Sequence, residues 1–242
     1  MAIDFDDRYN IFTDASTTAV TEISICDATA PAFLVIKGRD TEHPISMKTE
    51  FLDYATSPYA ELYAILMGVQ AAVKIASKER GAKFNLFSDN IMGVNTIRYF
   101  NIQKNNREIE LAVEHNNRDR YEYNMLKRRI IKTIWDHRLK IDFYHQRGHL
   151  SAGTDMCISQ CVDMFPIHNE FKTVDYDLAE ILCRCNGYVD KKSRDELGEY
   201  VKWGDLIPSV YHKCIFDETA ERFFREEQDV PFKTSLCVGV DA

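Results

Sequence analysis

One short phrase occurs twice in this chain, as Asn10-Ile-Phe12-Thr-Asp14 and as Asn85-Leu-Phe87-Ser-Asp89. Side chains alternate faces along a β-strand, so the Asn, Phe and Asp of each phrase share a face and each Asp stands at a strand's carboxyl end. If the two strands are parallel neighbours, the carboxylates meet. Like charges brought that close repel unless a proton or cation holds them, so the repeat points to a divalent metal. The ordinary alternative is that Asp89 caps the helix that follows and Asp14 opens a turn.

The surrounding pattern frames these strands. Three β-rich runs, 9–14, 20–26 and 33–37, are separated by turns near Thr17 and at 29–31 and read as a meander. A helix follows, with Ser57 as N-cap, Pro58 in the first helical position, and Leu62, Ile65, Leu66, Val69, Ala72, Val73 and Ala76 at helical spacing up to Gly81. Residues 83–88 form a strand, 90–102 and 123–137 helices, 139–144 a fifth strand and 154–165 a last helix ended by Pro166. The expected class is α/β: a mixed five-stranded sheet flanked by helices, occupying residues 1–170. Residues 171–242, with helical signals at 176–185, 193–203 and 217–228, are expected to form a small helical C-terminal extension.

Charge and cysteine usage bound the partners. The chain has 242 residues, a formal charge of -8 and 45% hydrophobic residues, which describes a globular protein and excludes a uniformly basic nucleic-acid coat. The start, MAIDFDDRYN, is acidic with no apolar run, so we expect neither a secretory signal nor a membrane span, and a cytoplasmic, monomeric protein. Seven cysteines without framework spacing read as reduced thiols rather than disulfides. The Cys183-x-Cys185 and Cys157-x-x-x-Cys161 spacings lack the paired C-x-x-C of structural zinc and read as buried thiols. No G-x-x-x-x-G-K-[ST] occurs, which argues against a P-loop enzyme.

A third carboxylate strengthens the metal reading. Glu61 lies three residues before Ala64 and four before Ile65, on the inward edge of a helix whose other inward positions are apolar. A carboxylate near a helix N-terminus also has an ordinary electrostatic use. The segments Phe-Thr-Asp14-Ala-Ser16, Tyr-Ala-Glu61-Leu-Tyr-Ala-Ile-Leu, Phe-Ser-Asp89-Asn90 and Arg-Gly-His149, in this order over about residues 8–165, together resemble type 1 ribonuclease H.

That resemblance implies the ribonuclease H fold and an endonuclease that hydrolyses the RNA strand of RNA-DNA hybrids by a two-metal mechanism, leaving a 5′-phosphate and a 3′-hydroxyl. It implies four carboxylates holding two Mg²⁺ or Mn²⁺ ions: Asp14 bridging, Asp89 and a fourth residue flanking, and Glu61 toward the leaving-group side. The fourth is expected to be Asp155, which opens the last helix ahead of Cys157, Ile158, Cys161 and Val162; Asp163, at that helix's end, is the alternative. His149 would assist proton transfer or product departure. Ala15 stands where the family usually has glycine, and Ser57-Pro58 where many members have Asn-Gln, leaving Ser16 and Asn90 as replacement substrate contacts.

Residues 104–140 carry ten basic and six acidic residues, a formal +4. Lys127 and Arg128, with Arg129 and Lys132, are the expected phosphate grip, against the alternative of a solvated helix face. Residues 172–242 carry -5 and could pack on the catalytic domain or dock a protein partner. The competing functions are another nuclease of this fold, resolvase- or transposase-like, and a non-catalytic nucleic-acid-binding module.

Overall fold

The computed structural model describes residues 3–19, 27–52, 55–103, 121–147, 162–163 and 176–204. Its elements are β1 (Tyr9–Ala19), β2 (Asp27–Lys37), β3 (Ser46–Thr49), α1 (Ser57–Ala76), β4 (Lys83–Ser88), α2 (Ile91–Gln103), α3 (Tyr121–Asp136), β5 (Lys140–Gln146), β6 (Val162–Asp163) and α4 (Tyr176–Gly204). They build one mixed sheet in the order β3-β2-β1-β4-β5-β6. Strand β2 is antiparallel to both β1 and β3, β4 is parallel to β1 and β5, and the two-residue β6 is antiparallel to β5. The expected mixed sheet is present, with β6 as a sixth strand.

Period-two alternation divides the core between the two faces. Ile11, Val35, Phe84, Leu86, Ile141 and Phe143 meet Leu62, Ile65, Leu66 and Val69 of α1, Val94 and Ile97 of α2, and Ile130 and Ile134 of α3. The other face carries Phe12, Leu34, Ile36 and Phe87, which meet Leu178, Leu182, Cys183, Cys185 and Val189 of α4. By length and composition α1 could cross a membrane, but ten of its twenty residues are buried in this core, which accounts for its apolarity. Gly68 of α1 faces β1: a Cβ there would lie 2.8 Å from Ile11 Cγ2 and 3.1 Å from Thr13 Cγ2, so the glycine permits the close approach of helix to sheet. Gly81, with φ +90°, makes the left-handed turn into β4.

Several boundaries differ from the sequence reading. Residues 33–37, expected as a third strand, are the second half of β2, and the third strand is Ser46–Thr49; residues 20–26 lie outside the described residues. Thr29-Ala-Pro31 looks like a turn, yet β2 runs through it. Pro31 carries no N–H to donate, and it sits just past the end of β3, where its carbonyl still accepts the Glu50 N–H at 3.0 Å. The N-cap of α1 is Thr56, one residue before the expected Ser57. Of the helix expected over 154–165, residues 162–163 instead pair with the open edge of β5, and 154–161 lie outside the described residues.

The segments 176–185 and 193–203, expected as two helices, are one. Leu178, Leu182, Cys185, Val189, Ser193 and Leu197 are buried at three- and four-residue steps, a continuous line that carries the helix through Gly187. The extension expected from residue 171 therefore contains a helix built into the sheet's core; residues 205–242, including the helix expected at 217–228, lie outside the described residues. Cys183 and Cys185 are buried free thiols packed in that core, and burial pushes Cys185 up to about 12.

Candidate active site at the carboxyl ends of β1 and β4

The repeated phrase becomes three cross-strand layers. Strand β1 pairs with β4 so that Asn10 faces Asn85, Phe12 faces Phe87 and Thr13 faces Ser88. In the first layer Asn85 Nδ2 donates to Asn10 Oδ1 at 2.8 Å and to the Asp4 carbonyl at 2.8 Å, while Asn10 Nδ2 donates to the carbonyls of Phe5 and Gly38, both at 3.0 Å. In the second layer Phe12 stacks on Phe87 at 5.0 Å and Phe87 on Tyr144 of β5 at 5.2 Å. Asp14 and Asp89 follow in the third, each one residue past the last paired position. Strand β5 extends the pattern as Asp142-x-Tyr144-x-Gln146, with Arg8 donating to Asn85 Oδ1 at 3.3 Å and pairing with Asp142.

This register brings the first three predicted carboxylates into one electrostatic cluster. Burial, then the charge of Asp89, push the Asp14 carboxyl up to about 8; the Ala15 N–H, donating to Asp14 Oδ1 at 2.7 Å, opposes the shift, and Asp190 and Glu61 add to it. Glu61 is also pushed up, by burial and then by Asp89, while the Ser57 hydroxyl, donating to Glu61 Oε1 at 3.1 Å, opposes this. The Ser57 hydroxyl is thus spent on Glu61 and not on capping the helix. The side-chain charges that raise Asp14 are all negative, and a set of hard oxygen donors is what Mg²⁺ or Mn²⁺ takes. By donor chemistry alone, the carboxylates present suit such ions. Among the described residues, no group of three or more His, Cys, Asp or Glu stands together as a ready-made metal site.

A further carboxylate, which the sequence reading did not single out, also acts on Asp14: Asp190. Alternation places Asp14 on the face with Phe12, and the helix covering that face is α4. Asp190 follows Val189 on the edge of the buried line of α4, the same kind of position that singled out Glu61 in α1. Three residues on, the buried Ser193 hydroxyl accepts the Ser16 N–H at 2.6 Å and donates to the Ala30 carbonyl at 2.5 Å, fixing α4 against β1 and β2. Reading 176–185 and 193–203 as separate helices left Asp190 in the gap between them.

The other expected residues divide. Asp155 and His149 lie outside the described residues. Asp163 is on β6 opposite His145, three strands from β1 and so about 14 Å away at ordinary strand spacing, not at a helix end. His145, which the sequence reading passed over, has Nε2 3.1 Å from the Asp89 carbonyl. Asn90 is buried: its Oδ1 accepts the Gly93 N–H at 2.8 Å and the Tyr123 hydroxyl at 3.2 Å, and its Nδ2 donates to the Pro58 carbonyl at 3.5 Å. It caps α2 and ties together the starts of α1 and α2 and the helix α3. The Ser16 backbone is held by Ser193. Lys127 is only 8% exposed, lies over the Tyr123 ring at 4.5 Å and donates to Thr96 Oγ1 at 3.3 Å, so it packs α3 against α2; Arg128 is half-buried.

The sheet order, strand directions and helices on both faces define a ribonuclease H-like fold. Among solved structures, the chain is similar to the RNase H domain of PFV, at 14% identity and TM-score 0.45, covering 63% of this chain and 87% of that one. It is similar to an RNase H1 isolated from compost, at 10% identity and TM-score 0.41, covering 58% and 85%. It is also similar to the foamy viral protease-reverse transcriptase in complex with RNA/DNA hybrid, at 13% identity and TM-score 0.44, covering 61% of this chain and 18% of that one. No protein-family model matches the sequence, and no curated protein matches it.

Proposed function

We propose that this chain is a metal-dependent endonuclease that hydrolyses the RNA strand of RNA-DNA hybrids, leaving a 5′-phosphate and a 3′-hydroxyl. The observation that carries the reading is the Asp14 carboxyl, pushed up to about 8 by burial and by a surround of carboxylates. A fold that merely needed polar groups there would have no reason to gather several carboxyl groups at the ends of two strands, where each raises its neighbour's pKa. Two divalent cations, when bound, would supply neutralisation of that charge and Lewis-acid polarisation of a phosphodiester.

Asp14, Asp89 and Glu61 would hold the ions, with Ser57 orienting Glu61 and the Ala15 N–H orienting Asp14. The fourth place has two claimants. Asp155 is favoured by the resemblance; Asp190 is favoured by its position on the helix that covers the face of Asp14 and by its charge acting on Asp14. His149 remains the expected group for proton transfer, on the resemblance alone.

The test is incubation of labelled RNA-DNA hybrid, double-stranded DNA and double-stranded RNA with the full chain in Mg²⁺, Mn²⁺ or EDTA. Cleavage confined to the RNA of the hybrid, lost in EDTA and in Asp14→Asn, is the expected result. Cleavage that survives Asp14→Asn overturns the site, and cleavage of double-stranded DNA alone favours the resolvase-like reading.

A further inference from the structure

Helix α4 carries two similar ion pairs in dissimilar surroundings. Arg184 pairs with Glu180 and Arg194 with Asp190, each one turn apart at 2.7 Å. The first pair is open at both ends, 57% and 61% exposed, an ordinary helix-surface pair worth a few tenths of a kcal/mol. In the second, the carboxylate is 19% exposed while the guanidinium is 64% exposed. Asp190 is thus a covered anchor and Arg194 an open head.

Its location sets this arginine apart. Arg194 directly follows Ser193, whose hydroxyl joins α4 to the Ser16 N–H and the Ala30 carbonyl next to Asp14. At 100° per residue, Arg194 and Asp190 lie on the same edge of α4, outside its buried line. One guanidinium nitrogen is committed to Asp190, and a guanidinium has five N–H donors in a planar fork, so donors remain for a second anion. An approaching phosphodiester meets the carboxyl groups of Asp14, Asp89 and Glu61, which offer it no positive charge, and Lys127, the cation expected to help, is packed against Tyr123 and Thr96.

We propose that Arg194, held in place by Asp190, binds a phosphate of the nucleic-acid backbone at the rim of the carboxylate site. This rests on the proposed nuclease reading for its ligand class. The contact reads charge and geometry rather than base sequence, and it positions the strand beside the carboxylates.

The experiment measures binding of a fluorescent RNA-DNA hybrid by anisotropy in EDTA, where no cleavage occurs, across a series of salt concentrations, for wild type, Arg194→Ala, Arg194→Lys and Arg184→Ala. Arg194→Ala is expected to weaken binding about tenfold and to reduce the slope of log K against log salt by about 1, as loss of one phosphate contact should. Arg194→Lys should keep the slope and lose part of the affinity, and Arg184→Ala should match wild type in both. Thermal melting of Arg184→Ala and Arg194→Lys should be nearly unchanged, because the first loses only an exposed one-turn pair and the second keeps the charge beside Asp190. In Mg²⁺, the KM of Arg194→Ala should rise.

Equal slope and affinity in Arg194→Ala and wild type overturns the proposal, as does an equal loss in Arg184→Ala or failure of wild type to bind the hybrid. Hybrid binding that depends on Arg194 without any cleavage by wild type leaves this contact standing and removes the nuclease reading. Cleavage by wild type with an unchanged KM in Arg194→Ala does the reverse.

Discussion

Asn85 donates to Asn10 across the β1–β4 pair at 2.8 Å, four residues before Asp89 and Asp14 on the same strands. Both amides are fully buried and each is also bonded to backbone carbonyls, so a one-residue slip of the pair would strand polar groups in the core. The amide layer therefore fixes the register that brings the carboxylates together.

Replacing Asn85 with Ala leaves Asn10 Oδ1 and the Asp4 carbonyl without this donor. The expected cost is about 2 to 3 kcal/mol, read as a lower urea midpoint with unchanged slope. Weaker Mn²⁺ binding should accompany it, although the residue stands four positions from either carboxylate.

The Asp14 carboxyl gives the metal-free protein a distinctive pH dependence. Its folded value of about 8 lies above the unfolded value of 3.8, so between these limits the folded state holds the proton more tightly. The contribution of this group to stability is complete below about pH 4, falls as pH rises toward 8, and is constant above. In EDTA, Asp14→Asn should therefore melt about 5 °C or more above wild type at pH 8 and show little difference at pH 4, by scanning calorimetry. Divalent ions compete with the proton, so their stabilisation of wild type should grow from pH 6 to pH 8. Identical pH profiles for the two proteins would contradict the assignment.

The fourth carboxylate can be settled by comparing Asp190→Asn with Asp155→Asn. We expect Asp190→Asn to lower Mn²⁺ affinity, by calorimetric titration, at least about tenfold and to remove most hybrid cleavage, with Asp155→Asn near wild type. The opposite outcome returns the place to Asp155 and leaves Asp190 as the anchor of Arg194.

Gly68→Ala should cost about 1 to 3 kcal/mol in urea unfolding, because its Cβ would lie 2.8 Å from Ile11 Cγ2 in a packed core. Alanine favours a helix intrinsically, so a stabilised variant would show that α1 does not approach β1 this closely.

The parts of the fold legible in the sequence are those written in short-range periodicity. Strand β4, helices α1, α2 and α3 and most of β5 follow from apolar spacing, and the two copies of Asn-x-Phe-x-Asp mark two strands whose parallel pairing only the structure supplies. Pro31 misled because its missing N–H removes only one bond from the pairing, while its carbonyl still accepts the Glu50 N–H and Thr29 pairs on with Leu52. Lys127 and Asn90 misled in another way: a basic or polar side chain looks solvent-facing in sequence, but Tyr123, Thr96, Pro58 and Gly93 give these two partners inside the protein.

The sequence by itself determined the strands that carry Asp14 and Asp89 and the helix edge that carries Glu61, since alternation and the helical repeat are properties of a few consecutive residues. Only the tertiary structure decided that Asp190 joins them. Its helix lies more than a hundred residues away in the chain and reaches Asp14 because α4 buries the face of the sheet that Phe12, Phe87, Leu34 and Ile36 leave apolar. Burial of that face chooses the partner helix, and no local pattern in either segment records the choice.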